Sequence, residues 1–303
     1  MLGRGSIACA ASFIALAAIL TGCSLQIGED DVFRPPSHPA RADLELRFED
    51  ELREDFGAVV SHSRQAFGGI DIALTRVRPK GATDVTPLVV SCSGNASDRY
   101  STGTNYAAKI LPFGEAVLWD YPGYGDSGGR ATVAQVQQMA DAFTDWLEAE
   151  AVGRPLILWG HSLGGFICAD LAARTDAVDG VILETTARNI DEIAKAWRPW
   201  WAPVRFRPVD GLERFDTADA LEGVSAPILV IGAGRDEVLP VELHRSLARA
   251  IDAPIVSYVE AEAANHASAG FSRTTTEAVA RLVARSADYA SASPAPASVN
   301  PWR

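Results

Sequence analysis

Ile157-Leu158-Trp159-Gly160-His161-Ser162-Leu163-Gly164-Gly165 is the stretch on which the reading of this chain turns. It closes an apolar run, Pro155 to Gly160, and opens the helical pattern LGGFICADLAART. A chain that passes abruptly from strand to helix strains its backbone at the turn, and glycines on either side of the serine leave room for close neighbours. Such a turn presents the Ser162 hydroxyl to solvent at a helix N-terminus, where partial positive charge favours an oxyanion. With strand before and helix after, G-x-S-x-G reads as a nucleophile elbow.

A serine hydroxyl needs a base, and the base needs an orienting acid. The histidines are His38, His62, His161, His244 and His266. His38 lies in a proline-rich stretch, and the His161 side chain should diverge from its neighbour Ser162. His62, near the first strands, and His244, on a helix, read as solvated surface residues. His266, in Ala264-Asn265-His266-Ala267-Ser268, follows the last strand and precedes the last helix, where it can reach back over a sheet edge. Asp236, after the strand PILVIG, is the candidate acid, with Glu237 and Glu184 as alternatives. The order Ser162, Asp236, His266 is the one this strand-to-helix architecture requires. Two backbone N–H groups should receive the developing oxyanion: Leu163, following the nucleophile, and Asn95, in the loop Ser93-Gly94-Asn95-Ala96-Ser97.

Around these motifs, short β-type runs alternate with amphipathic helical patterns. Val59-Val60 and Ile70 to Val77 flank a Gly68-Gly69 turn. Pro87–Ser93, Glu115–Asp120, Pro155–Gly160, Val178–Glu184, Pro227–Gly232 and Pro254–Val259 are mostly continuous apolar runs, as expected for strands buried on both faces. Val133 to Leu147, Val241 to Ile251 and Thr275 to Ala287 carry helical spacing. The expectation is an α/β protein with a mostly parallel, doubly wound sheet of about eight strands and its function at the carboxyl edge.

The chain has 303 residues, 48% hydrophobic and 22% charged, with 27 Lys plus Arg against 39 Asp plus Glu. A net charge of −12 argues against nucleic-acid binding, which needs a basic face. Residues 1–22 read as a signal peptide: Arg4 is their only charge, and the apolar core is too short to span a bilayer. Leu20-Thr21-Gly22-Cys23 resembles a bacterial lipobox, which implies lipid modification of Cys23 and a place in the cell envelope; Ser24 after it resembles sorting to the outer membrane. Residues 23–40 read as a tether, 41–286 as one domain, and 287–303 as a disordered tail. Cys92 and Cys168 are expected as buried, unpaired thiols. No cofactor is called for, and no metal-type spacing of Cys and His occurs.

Taken together, "GHSLGG", "DYPGYGDSGG", "GAGRDEVLP" and "NHAS" resemble the α/β-hydrolase superfamily over roughly residues 45–287. The closest likeness is to its compact branch, with relatives of depalmitoylating thioesterases and monoacylglycerol lipases. The resemblance implies a serine hydrolase acting on a small-molecule or lipid acyl ester or thioester. Peptidase or acyltransferase chemistry with the same residues, or a silent binding protein, are the alternatives. Ser93 departs from the histidine that usually opens the family's oxyanion loop. Residues 185–226 are the expected cap. Trp197, Trp200 and Trp201 there should pack on the sheet, with lipid contact by interleaved aromatics and cations (Lys195, Arg198, Arg205, Arg207) as the alternative.

Overall fold

The computed structural model describes residues 24–36, 41–198 and 205–292. Its centre is an eight-stranded sheet in the order β10-β9-β7-β6-β4-β5-β3-β2. The strands are β2 (Val59–Phe67), β3 (Ile70–Arg78), β4 (Leu88–Cys92), β5 (Glu115–Trp119), β6 (Leu156–His161), β7 (Gly180–Glu184), β9 (Ile228–Ala233) and β10 (Val256–Ala261). β3 alone runs against its neighbours, paired antiparallel to both β2 and β5. Every residue of β4, β5, β6, β7 and β9 is buried, because helices cover both faces of the interior strands and continuous apolar runs such as LVVSC and ILVIGA satisfy both. The edge strands β2 and β10 are partly exposed.

Helices α1 (Glu29–Val32), α2 (Arg41–Phe56), α3 (Gly103–Ile110), α4 (Val133–Glu150) and α5 (Leu163–Ala172) are followed by α6 (Ile190–Trp197), α7 (Thr217–Ala220), α8 (Val241–Ala250) and α9 (Arg273–Ala292). α4, α5 and α8 pack one face of the sheet through Phe143, Phe166, Ile167 and Leu247. α2, α3 and α9 cover the other through Phe48, Leu52, Ile110 and Val279. Among the described residues, no helix is long and apolar enough to cross a membrane.

Three readings of the sequence need correction. Cys92 and Cys168 are not free thiols: they form a disulfide, with Cα atoms 6.0 Å apart. The end of β4 lies directly against α5, a spacing within the range a disulfide spans. The segment read as a tether is seated on the domain over residues 24–36. There β1 (Ser24–Ile27) pairs in parallel with β8 (Arg205–Pro208) of the cap, and Phe33 is 2% exposed against Phe215. α9 also runs to Ala292, past the expected start of a disordered tail, because Leu282 and Ser286 still face the sheet. The signal segment, Cys23, His38, Trp200 and Trp201 lie outside the described residues.

Candidate active site

Ser162 sits between β6 and α5 with φ 54° and ψ −119°, a left-handed conformation that costs a non-glycine residue on the order of 1 kcal/mol or more. Its neighbours explain how the fold holds it. A Cβ on Gly164 would lie 1.9 Å from the Cys92 carbonyl oxygen, and one on Gly160 would lie 2.4 Å from that of Gly164. Only glycine lets β4, β6 and α5 converge this closely. The Ser162 N–H donates to the Glu184 carbonyl (2.9 Å), locking the turn to β7.

Asp236 follows β9, and His266 follows β10. His266 Nδ1 lies 2.7 Å from Asp236 Oδ2, and the Asp236 side chain is fully buried. Asp236 Oδ1 accepts from the Val238 and Leu239 amides at 2.8 and 2.7 Å. Burial alone would raise its pKa, but the His266 and backbone donors outweigh that and hold it below the usual carboxylate value. Glu237, the neighbouring alternative acid, faces the His266 backbone N–H instead (3.4 Å). Glu184 is engaged elsewhere: its carboxylate accepts from Lys109 Nζ (2.8 Å), Trp159 Nε1 (2.9 Å) and the Gly270 amide (2.9 Å). Burial opposes ionisation of Glu184, yet Lys109 and these donors keep it below the ordinary range.

His244 was read as a surface residue and is fully buried. Its Nδ1 faces the Ala233 amide (3.4 Å), which leaves the proton on Nε2, 3.4 Å from Asp236 Oδ2. Asp236 therefore stands between two imidazoles. Burial lowers the His244 pKa to about 4. His62 is exposed on β2, bonded to Thr75 and Glu49.

His161 does diverge from Ser162, and it has a role that spacing alone does not reveal. Its Nε2 donates to the His266 carbonyl (3.1 Å), and its Nδ1 accepts from the Tyr106 hydroxyl (3.0 Å). Tyr106 in turn accepts from the Gly94 amide (2.8 Å). One neutral imidazole thus joins the loop of Asn95 to the loop of His266. Burial drops its pKa to about 4, which keeps it neutral. Thr185 Oγ1 adds a second bond to the His266 carbonyl (3.1 Å).

The loop after β4 brings Asn95 beside the start of α5. Among the described residues, neither the Asn95 nor the Leu163 amide donates to a protein acceptor. Where a histidine usually opens this loop, the Ser93 carbonyl takes a bond from Tyr121 OH (2.6 Å). DYPGYGDSGG therefore supports the oxyanion loop as well as making a turn: Asp120 holds Arg99 (2.9 Å), and Tyr124 OH reaches Asn95 Oδ1 (3.1 Å).

This arrangement of sheet, serine turn, buried acid and histidine loop settles the fold family. The chain has the α/β-hydrolase fold. Residues 94–218 match the family described as Serine aminopeptidase, S33. The Pyrococcus furiosus esterase Pf2001 superposes with a TM-score of 0.59 at 16% identity, covering 77% of this chain and 93% of that one. Mouse alpha/beta hydrolase domain-containing protein 10 gives a TM-score of 0.56 at 19% identity, covering 76% and 99%. In sequence, the chain is 30% identical over 171 residues to the uncharacterized protein Rv2307c of Mycobacterium tuberculosis, covering 55% of this chain and 59% of that protein. It is also 30% identical over 178 residues to the lysophosphatidylserine lipase ABHD12 of Xenopus tropicalis, covering 53% and 46%. The chain thus spans about half the length of these curated relatives.

The segment expected as a cap carries α6, β8 and α7, closed by a bridge between Asn189 and Asp216. Trp197 does not pack on the sheet as expected. It is 58% exposed and donates its indole N–H to the Val238 carbonyl (2.8 Å), tying the cap to the loop of Asp236.

Proposed function

We propose that this α/β-hydrolase cleaves carboxylic esters or thioesters through an acyl-enzyme on Ser162. The observation that carries the reading is the 2.7 Å bond between His266 and a buried, ionised Asp236, on a loop pinned to the residue beside a left-handed serine. His266 takes the Ser162 hydroxyl proton as Oγ bonds to the acyl carbon. The Asn95 and Leu163 amides receive the oxyanion. The proton then passes to the departing alcohol or thiol, and water, activated by the same imidazole, releases the acid and restores the serine. Asp236 stabilises the imidazolium without taking its proton.

The substrate class we favour is an acyl lipid of one chain. The relatives named lysophosphatidylserine lipase support it, as does a lipid anchor on Cys23 after removal of residues 1–22, with the enzyme on the envelope side of a bacterial membrane, the outer one if there are two. The Cys92–Cys168 disulfide suits such an oxidising compartment. A peptidase reading has one observation behind it, the aminopeptidase description of the matched family. A fluorophosphonate probe should label Ser162 and leave Ser162→Ala unlabelled. A folded wild-type chain that takes no label at neutral pH refutes the mechanism. Comparing release from a lysophospholipid, a short aryl ester and an aminoacyl arylamide separates lipase, esterase and peptidase, and incorporation of labelled palmitate that Cys23→Ala abolishes tests the anchor.

A further inference from the structure

The N-terminal strap, residues 24–36, touches the site through its backbone. The Arg34 N–H donates to Asn95 Oδ1 (2.8 Å) and lies 2.9 Å from Tyr124 OH. Asn95 Oδ1 also takes the Tyr124 hydroxyl (3.1 Å) and the Ala96 amide (2.9 Å). That side chain is therefore the hub of its loop, and the next residue, Ala96, is held at φ 56°, a conformation alanine avoids without outside support.

The strap is fixed independently at two points ahead of this contact. Phe33 is buried on Phe215, which stacks on Phe166 of the helix that Ser162 begins (ring centroids 5.6 Å apart). Glu29 accepts the Val133 amide at the start of α4 (2.7 Å). A donor carried by so well anchored a backbone fixes where Asn95 Oδ1 sits, and through it the orientation of the Asn95 peptide N–H.

We infer that Arg34 is a positioning residue for the reaction: its main-chain N–H, delivered by the strap, sets the oxyanion donor of Asn95. The inference rests on the serine-hydrolase reading above. Because the donor is main chain, the side chain of residue 34 is dispensable and its N–H is not. Proline is the substitution that removes the N–H, with Arg34→Ala as the control for the lost side chain, and Phe33 is already extended (ψ 118°), as a residue before proline prefers.

The test uses the full chain and a short aryl ester. Arg34→Pro should lower kcat about tenfold with KM changed less than about twofold, a fraction of what deleting a donor outright costs. Affinity for a trifluoromethyl ketone, whose hemiketal oxygen occupies the oxyanion site, should fall by the same factor. Arg34→Ala, which keeps the N–H, should restore both. Arg34→Pro should cost nothing further in an Asn95→Ala background. Should the proline lower Tm, Tyr124→Phe is the companion: it removes the second donor from Asn95 Oδ1 and should lower kcat, and not KM. Wild-type rates in Arg34→Pro, equal losses in Arg34→Pro and Arg34→Ala, or losses that multiply with Asn95→Ala overturn the inference. Failure of the wild type to take a fluorophosphonate would instead overturn the underlying mechanism.

Discussion

Around Ser162 the chain is held by its own backbone. Strands β4 and β6 and helix α5 meet where only glycines fit, a disulfide spans β4 to α5, and the serine amide is bonded to β7. Around His266 the backbone is a half-exposed loop, and side chains hold it: Asp236 on the ring, His161 and Thr185 on the carbonyl, and Glu184 on the Gly270 amide. The Ser162 half is thus rigid by packing, and the His266 half is rigid only while particular protons stay in place. Packing is indifferent to acid, whereas a network of neutral imidazoles and ionised carboxylates is not.

The harshest way to break the Ser162 half, on the proposed mechanism, is Ser162→Ala. It should cost at least about 10⁴-fold in kcat/KM on an aryl ester while Tm is unchanged. On the other half, Glu184→Gln leaves Lys109 buried beside a neutral partner and should destabilise the fold by about 3–5 kcal/mol in urea unfolding. Replacing both Cys92 and Cys168 by alanine tests the covalent brace: at a sequence separation of 76, about 4 kcal/mol should be lost, with residual activity in the folded fraction.

Acid sharpens the contrast. His161 and His244 are neutral in the fold with pKa near 4, against 6.5 when solvated. The unfolded chain binds their protons first, so stability is full above pH 6.5 and falls as pH drops toward 4, by up to about 3 kcal/mol for each ring. Asp236 and Glu184, both held low, add loss in the same direction as acid protonates the solvated carboxylates of the unfolded chain at higher pH. Urea melts across pH 7.5 to 4.5 should show this slope, and His244→Gln should flatten part of it. The smallest effect is that same substitution read at neutral pH: kcat should drop a few-fold with KM intact. A kcat equal to wild type would reduce His244 to core filler.

Most of the sheet was legible because its interior strands are apolar runs with helical patterns between them, and a strand buried on both faces needs nothing else to reveal it. The meeting of Asp236 and His266 was legible because each follows a strand at the carboxyl edge. What escaped depends on partners distant in the chain. Phe33 is a lone aromatic before Arg-Pro-Pro, and its meaning comes from Phe215, which no local period announces. His244 sits on a helix full of charges, VELHRSLARA, and only the approach of β9 shows that it turns inward. The disulfide needed the register of β4 against β6. His161 was expected to diverge from Ser162 and does, but the use of its two nitrogens as a clasp between loops is a property of three segments at once.

The strap has a practical corollary for cloning. A gene cut to begin at Arg41 keeps every strand of the large sheet together with Ser162, Asp236 and His266, so it should express as a well-behaved particle. It would nonetheless lose Phe33 and the amide of Arg34, so a screen run on that trimmed product should read turnover below that of the full chain.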